Sequence, residues 1–316
     1  MKKLFVLAVM LLTLVGVSSS FISCGHNPPT VPATPTPVPA VPTATPSLPT
    51  QSGVISTTIS IQSVRFASNG NLWILQFNSP GTLEQITTAG TLVGSAITSF
   101  NGGTFNDPIG LAVDSVTGEV YVCDYENKQL VAFNSAGTWL TTFAKTQLGG
   151  SYTEGIAINS AGTTVYGEDD GLYAYLAYSV VQGTPPTYTY QSAANIGTGA
   201  GLNYPGCASF DSQGNFWCAD YQNHRVVEFG GTGTYQRAVT LQSSGAPQDV
   251  AVDHSGNIFV SDTHNLLVQE FNSAGQFLYN IKGTLANPTG LTIDSTGNYL
   301  YVGDEVVDQI VEFKIH

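Results

Sequence analysis

The sequence predicts an all-β fold made of six repeated sheets, and two features of the chain predict it. Short apolar stretches alternate with turns of Gly, Asn, Asp and Ser, a pattern typical of antiparallel strands. A glycine marks the first turn of each unit and recurs every 41 to 52 residues, at Gly70, Gly118, Gly162, Gly214, Gly256 and Gly297. Four strands per copy at this period predict a β-propeller with six blades.

A second marker gives the same count of blades. An Asp ends the second strand of five copies, at Asp124, Asp169, Asp220, Asp262 and Asp304, and Gln76 takes that place in the first copy. Nine residues after each Asp stands an aromatic side chain: Phe133, Tyr178, Phe229, Phe271 and Phe313. The clearest copy predicts strands at 258–262, 267–271 and 276–281.

The copies resemble the NHL repeat. The closest stretches are "GLAVDSVTGEVYVCDYENKQLVAF", "CASFDSQGNFWCADYQNHRVVEF" and "DVAVDHSGNIFVSDTHNLLVQEF", whereas the third copy is degenerate and the first lacks both Asp residues. The resemblance covers about residues 54–316. It implies an NHL-like six-bladed propeller and leaves the function open, because this fold carries binding proteins and enzymes alike.

Residues 1–23 are typical of a bacterial lipoprotein signal peptide. Two lysines precede an apolar run at 4–17, and "FISC" then resembles a lipobox, although Phe21 stands where Leu is usual. The pattern predicts lipidation of Cys24 and anchoring of the protein outside the cytoplasm, at the periplasmic face or the cell surface. The alternative is cleavage after Ser20, which would release a secreted protein.

A spacer and a single domain follow the signal. Residues 24–52 are rich in Pro and Thr, carry no charged side chain, and predict an extended, semi-rigid spacer. Residues 53–316 predict one propeller domain, expected to be a monomer. Residues 54–61, "VISTTISI", form an alternating strand that belongs to no copy, whereas the last copy has three strands. We therefore expect this N-terminal strand to complete the last blade and close the ring.

The charge of the chain limits its partners. The sequence holds 9 Lys and Arg against 22 Asp and Glu, and Lys2 and Lys3 lie in the predicted signal. The remainder therefore has a net charge of about −15, with His neutral. A surface with so few cations does not neutralise phosphates, which excludes nucleic acid as the expected partner.

An enzymatic function is the less favoured interpretation. The repeated Asp with Asn three residues on, as in Asp124 and Asn127, is better explained by turn formation than by metal binding. Glu154, Asn203 and Asp249 are candidate calcium ligands at the channel, as the resemblance to gluconolactonase-like propeller hydrolases implies. The expectation is no cofactor, with calcium in a propeller hydrolase or lyase as the alternative.

Two cysteines in the fourth copy predict a disulfide. If residues 211–214 form the turn, Phe210 pairs with Asn215, and Cys207 then lies opposite Cys218. Cys123 is expected to be a free buried thiol. The alternative is that Cys207 and Cys218 are also small buried thiols.

The turns between second and third strands predict a binding face. They share one end of a propeller with the connections between blades, and such loops commonly bind partners. The candidate anchors for a protein, peptide or glycan are Tyr125, Tyr221, His224, Arg225 and His264. The alternative for Arg225 is a structural ion pair with a neighbouring acid. The sequence thus favours a non-enzymatic binding scaffold.

Overall fold

Within residues 48–315, which the computed structural model describes, the regular elements are β-strands and three short 3-10 helices. The predicted signal peptide, Cys24 and residues 24–47 of the predicted spacer lie outside the described residues. The 3-10 helices are Ser192–Ala194, Tyr221–Asn223 and Gln242–Ser244. In the described part of the chain, no helix has the length and apolarity that a membrane crossing requires.

The strands, numbered in chain order, form six antiparallel sheets, which confirms the six-bladed propeller. The first strand of each blade is innermost: β2 (Ser63–Phe66), β5 (Leu111–Val113), β9 (Ile156–Ile158), β13 (Pro205–Phe210), β17 (Pro247–Val252) and β21 (Pro288–Ile293). The second strands are β3 (Leu72–Gln76), β6 (Val120–Asp124), β10 (Thr164–Asp169), β14 (Phe216–Asp220), β18 (Ile258–Asp262) and β22 (Tyr299–Asp304). Each second strand ends at the residue predicted from the repeat.

The third and outer strands complete the blades. The third strands are β4 (Thr82–Ile86), β7 (Gln129–Phe133), β11 (Ala174–Val181), β15 (Arg225–Phe229), β19 (Leu267–Phe271) and β23 (Gln309–Lys314). The outer strands are β1 (Thr50–Ser56), β8 (Trp139–Phe143), β12 (Thr187–Tyr190), β16 (Tyr235–Thr240) and β20 (Phe277–Ile281). The first blade, β2 to β4, is a three-stranded sheet, and the other five blades have four strands.

The ring closes through the N-terminal strand, as predicted, although the strand lies earlier than expected. β1 pairs antiparallel with β23, so that Thr50 lies opposite Lys314 and Ser56 opposite Gln309. The strand thus covers 50–56 rather than 54–61, and its first three residues were predicted as spacer. Ile59 and Ile61 follow it as buried core residues. The inner strands contact one another in a closed cycle, β2–β5–β9–β13–β17–β21–β2.

The hydrophobic core is divided among the gaps between blades. Six clusters of buried apolar side chains each draw their members from two neighbouring blades. Tyr121 of the second blade and Tyr178 of the third, for example, share one cluster. Because a neighbouring blade covers each face of a blade, the second strands are buried along almost their whole length.

The repeated Asp residues fix the turns, which confirms the structural interpretation of the Asp–Asn pairs. Asp124 is fully buried and accepts hydrogen bonds from the Asn106 backbone N–H at 2.8 Å and from Asn127 Nδ2 at 2.8 Å. Asp220 and Asp262 bind their own Asn partners in the same way. Each carboxylate therefore ties a second-to-third-strand turn to the connection that enters the blade.

The predicted disulfide between Cys207 and Cys218 is wrong. The first turn of the fourth blade holds three residues, because Gly214 adopts φ 83° and the Asp211 N–H donates to the Asn215 carbonyl. Phe210 therefore pairs with Phe216, and Ala208, not Cys207, lies opposite Cys218. Cys207 and Cys218 are free, buried thiols, as is Cys123.

Candidate binding site on the connection face

One end of the propeller, here called the connection face, carries the second-to-third-strand turns and the connections between blades. Backbone hydrogen bonds join the two sets of loops in successive blades, for example from Glu126 N to Asn106 O at 3.1 Å and from Glu305 N to Asn287 O at 3.2 Å. The structure places all five predicted anchors on this face, in turns that rest on rigid strands. His264 is exposed, and Tyr125 and Tyr221 are half-buried.

Two of the predicted anchors have structural partners. Arg225 Nε donates to Asp220 Oδ2 at 2.6 Å, and Arg225 Nη2 donates to the Gly201 carbonyl at 3.2 Å. His224 adopts a left-handed backbone with φ 56°, and its Nδ1 lies 3.0 Å from the carbonyl oxygen of Gly245. Arg225 is thus the structural ion pair of the alternative interpretation. The binding role predicted for Tyr125, Tyr221 and His264 stays a prediction.

Tyr125 is part of an aromatic pair at the entry to the third blade. Its ring stacks on Tyr152, with centroids 4.5 Å apart and planes inclined by 18°. The Nζ atom of Lys128 lies 4.4 Å from the centroid of the Tyr152 ring. An ammonium group at that distance from an aromatic face makes a cation–π interaction. The pair therefore already holds one cation of the chain.

A second aromatic pair, Tyr173 and Tyr204, joins the third and fourth blades on the same face. Their ring centroids lie 5.2 Å apart with planes inclined by 49°, and Tyr204 is 47% exposed. Both residues have left-handed backbone conformations, with φ of 48° and 51°. These conformations place Tyr173 directly before the third strand β11 and Tyr204 directly before the inner strand β13.

Three carboxyl groups lie near these two tyrosine pairs. Glu168 is fully buried and accepts a hydrogen bond from the backbone N–H of Glu154 at 3.0 Å through Oε2. Glu168 Oε1 and Asp170 Oδ1 are buried and receive no donor from any described residue. We call the whole group the tyrosine–carboxylate cluster, consisting of Tyr125, Tyr152, Glu154, Glu168, Asp170, Tyr173 and Tyr204.

The titration of the cluster reflects burial and crowding of like charges. Burial, and then Asp170, raise the pKa of Glu154 to about 7 and raise the pKa of Glu168 well above its usual value. Burial raises the pKa of Asp170 as well. Burial and then Glu154 and Asp170 raise the pKa of Tyr125. The pKa of Tyr173 is raised by Tyr204 first, and then by burial, Asp170 and Glu168 among others. The backbone N–H of Asp170 donates to the Tyr152 carbonyl at 3.2 Å, which joins the turn that carries Asp170 and Tyr173 to the connection that carries Tyr152 and Glu154.

The predicted calcium ligands are engaged in different interactions. Both carboxylate oxygens of Asp249 bind Arg65, from Nη1 at 2.7 Å and Nη2 at 3.1 Å. Glu154 belongs to the cluster, and Asn203 donates its backbone N–H to Asp220 Oδ1 at 2.7 Å. In the described part of the chain, no three His, Cys, Asp or Glu side chains form a group suited to a metal ion.

A cavity of about 220 Å³ lies at the opposite end of the inner strands. Its wall is formed mainly by small side chains, including Ala112, Ala157 and Ser209, and it reaches the first turns at Ser115 and Ser160. Arg65, on β2 of the first blade, also lines it and hydrogen-bonds to the Leu291 carbonyl on β21 and to Asp249 on β17. This ion pair therefore joins the inner strands of three blades.

Sequence reasoning missed most of the tyrosine–carboxylate cluster. Tyr152 and Tyr204 stand in connections between blades, and Glu168 and Asp170 flank the repeat Asp169 in the degenerate third copy. A local signal was present in the sequence: "GEDDGLY" lacks the Asn that stands three residues after the repeat Asp in the second, fourth and fifth copies. Asp169 instead accepts hydrogen bonds from the backbone N–H groups of Gly171 and Leu172.

Comparison with known proteins agrees with the architecture. Residues 105–133, which span most of the second blade, match the NHL repeat. No curated protein matches the chain. One chain of a nidogen/laminin complex is similar in structure, with TM-score 0.61 and 22% identity over 78% of this chain and 89% of that chain.

Two lyases are similar as well. Catalytically inactive virginiamycin B lyase from Staphylococcus aureus, solved with quinupristin, gives TM-score 0.58 and 13% identity over 81% of this chain and 80% of that chain. A streptogramin B lyase gives TM-score 0.56 and 11% identity, with 84% of this chain and 97% of that chain covered. At these identities the similarity shows the propeller fold alone.

Proposed function

We propose that this NHL-type six-bladed propeller is a non-enzymatic scaffold that binds a protein or peptide partner on its connection face. In this proposal, lipid on Cys24 and the Pro/Thr-rich segment tether the propeller outside the cytoplasm of a bacterium. The tether is supported by the charged start, the apolar run and the "FISC" motif of the sequence.

The observation that carries the proposal is that five of the thirteen large apolar side chains exposed among the described residues stand on the connection face. Five such side chains stand in its turns and connections: Leu172 (57% exposed), Tyr204 (47%), Leu266 (41%), Val306 (65%) and Val307 (44%). They come from four different blades. Exposed apolar residues gathered on one surface mark interaction sites, and aromatic side chains are enriched in protein interfaces.

Two further observations support a polypeptide partner. The strands beneath the loops are rigidly paired, so that the loops present a preformed surface and binding costs little ordering entropy. In addition, a propeller of this fold occurs in the nidogen/laminin complex, which shows that the architecture serves protein binding in another molecule.

Site-specific photo-cross-linking tests the proposal with a matched control. A benzophenone amino acid is placed at Val306 on the connection face or at Val116 in a first turn at the other end; both side chains are 65% exposed. In cells that make the protein, we expect a discrete cross-linked partner from position 306 and none from position 116. The same cells, when fractionated, are expected to hold the protein with membranes and a Cys24→Ser variant in the soluble fraction.

Two results would contradict the binding proposal. One is equal cross-linking from both positions, which indicates random collision. The other is cross-linking from Val116 alone, which places the interface at the opposite end of the propeller.

A further inference from the structure

The tyrosine–carboxylate cluster contains buried acceptors that lack donors. Glu168 is 0% exposed, and its Oε1 atom receives no N–H or O–H donor from another described residue. Asp170 Oδ1 receives none either, and the carboxyl groups of Asp170 and Glu168 lie within hydrogen-bonding reach of each other. A buried polar atom without a hydrogen-bond partner lowers the stability of the folded state, and more so if the group is charged. The two oxygens are therefore stabilised either by a proton shared between the carboxyl groups or by a hydrogen-bond donor of a bound partner.

The carboxyl groups of the cluster form no ion pair with the described residues, although Lys128 lies over the nearby Tyr152 ring. Ion pairs among the described residues include Arg65–Asp249, Arg225–Asp220 and Arg237–Glu228. None of them includes Glu154, Glu168 or Asp170. Asp170 carries no ion-pair partner within residues 48–315 and raises the pKa of both Glu154 and Glu168, so a cation placed beside Asp170 would offset the repulsion among these carboxyl groups.

The aromatic rings specify what kind of cation fits. A metal ion prefers a shell of oxygen ligands, whereas tyrosine faces favour ammonium and guanidinium groups. Lys128 already demonstrates this preference, since its Nζ atom lies 4.4 Å from the Tyr152 ring centroid. A basic side chain with its methylene stem along Tyr125 or Tyr173 would present its charged end to Glu154 and Asp170.

We propose that the tyrosine–carboxylate cluster binds a lysine or arginine side chain, an inference that rests on the proposed function by assigning that side chain to the polypeptide partner. Glu154 and Asp170, which are partly exposed, accept its N–H groups, and Glu168 lies behind them. The tyrosine pairs on either side exclude water and hold the aliphatic stem. The partner therefore carries an exposed basic residue where it meets the third blade.

The test uses small probes and so does not depend on knowing the partner. The protein is labelled with 13C in its tyrosine rings and titrated with the amides of N-acetyl-arginine and N-acetyl-lysine. The matched uncharged probes are the amides of N-acetyl-citrulline and N-acetyl-norleucine. We expect saturable shifts of the Tyr125, Tyr152 and Tyr173 ring signals, assigned with Tyr→Phe variants, from the charged probes alone.

Variants separate recognition from a general charge effect. Glu154→Gln combined with Asp170→Asn is expected to weaken binding of the arginine probe about tenfold or more, because two charged acceptors are lost. Glu305→Gln, on the same face in the sixth blade, is the control and should leave affinity unchanged. Lys128→Met should strengthen binding of the arginine probe, because it removes the ammonium group that lies over the Tyr152 ring. This variant leaves the carboxyl groups intact.

Several outcomes would overturn the inference. Absence of saturable shifts, equal shifts with the citrulline probe, or unchanged affinity in the double variant would each show that the carboxyl groups of the cluster do not bind a basic side chain. If the probe binds but Val306 yields no cross-linked partner, the proposed function fails while the site stands. If Val306 yields a partner but no probe binds, the scaffold stands and this site fails.

Discussion

Glu154 stands at the entry to the third blade, where its pKa is raised to about 7 by burial and by Asp170. An unfolded glutamate has a pKa near 4.3. Between these two values the folded state binds more protons than the unfolded state, so the free energy of unfolding falls as the pH rises. The free energy that Glu154 takes from the folded state is therefore largest above pH 7, where its carboxyl group is ionised, and is absent below pH 4, where the group is protonated.

We expect Glu154→Gln to change this pH dependence. Glutamine stays neutral, so relative to the original protein the variant should gain about 3 kcal/mol of unfolding free energy between pH 4 and pH 8. Urea denaturation at the two pH values measures the difference. Parallel stability profiles for the two proteins would show that Glu154 titrates normally.

At the scale of the element, the inner strands approach one another closely enough to require glycine. A Cβ atom on Gly155 would lie 2.0 Å from the backbone oxygen of Gly206, on the inner strand of the next blade. Gly103 is a suitable control, because its nearest neighbour would be 3.6 Å away and neither glycine has a positive φ.

Gly155→Ala is expected to destabilise the domain by about 3 kcal/mol or more, since the contact is with backbone that must move. Gly103→Ala should change the free energy of unfolding by less than about 0.5 kcal/mol. Chemical denaturation of both variants gives the comparison. Similar free energies of unfolding for the two variants would mean that the inner strands can move apart without loss of stability.

The sequence predicts the ends of some strands well and the pairing of other strands poorly. Strand ends such as Asp124 and Asp262 could be predicted because one repeated Asp performs the same turn-fixing role in several blades. The pairing of Cys207 could not, because the turn of three residues and the irregular pairing between Pro205 and Ala208 shift the register. Such local irregularities leave no periodic signal.

At the scale of the molecule, contacts between residues of different blades could not be predicted from the sequence. The ring and its closing strand follow from counting strands, but the tyrosine–carboxylate cluster joins residues from three blades at irregular spacing. Only the curvature of the ring brings Tyr125, Glu154 and Tyr204 onto one surface. A site built across repeats is therefore harder to infer than the repeat itself.

Removal of β1 tests how far the ring depends on closure. A chain that begins at Thr57 should unfold at a temperature lower by roughly 10 °C, because β23 becomes an unpaired sheet edge. A chain that begins at Leu48 keeps β1 and should melt as the full chain does. Identical cooperative melting of the two truncated chains would show that β1 adds nothing to the closure of the ring.

The pairing of residue 50 with residue 314 also sets an order of events during synthesis. The strand that completes the last blade leaves the ribosome before any of the six inner strands, and its partner strand leaves more than 250 residues later. Until then β1 has no partner, and the blades already made lack a closed ring. Since contacts so distant in sequence form slowly, the newborn chain passes through an open arc with exposed strand edges. Protection of that arc by a chaperone or by prompt export would therefore matter more for this protein than for one whose strands pair in sequence.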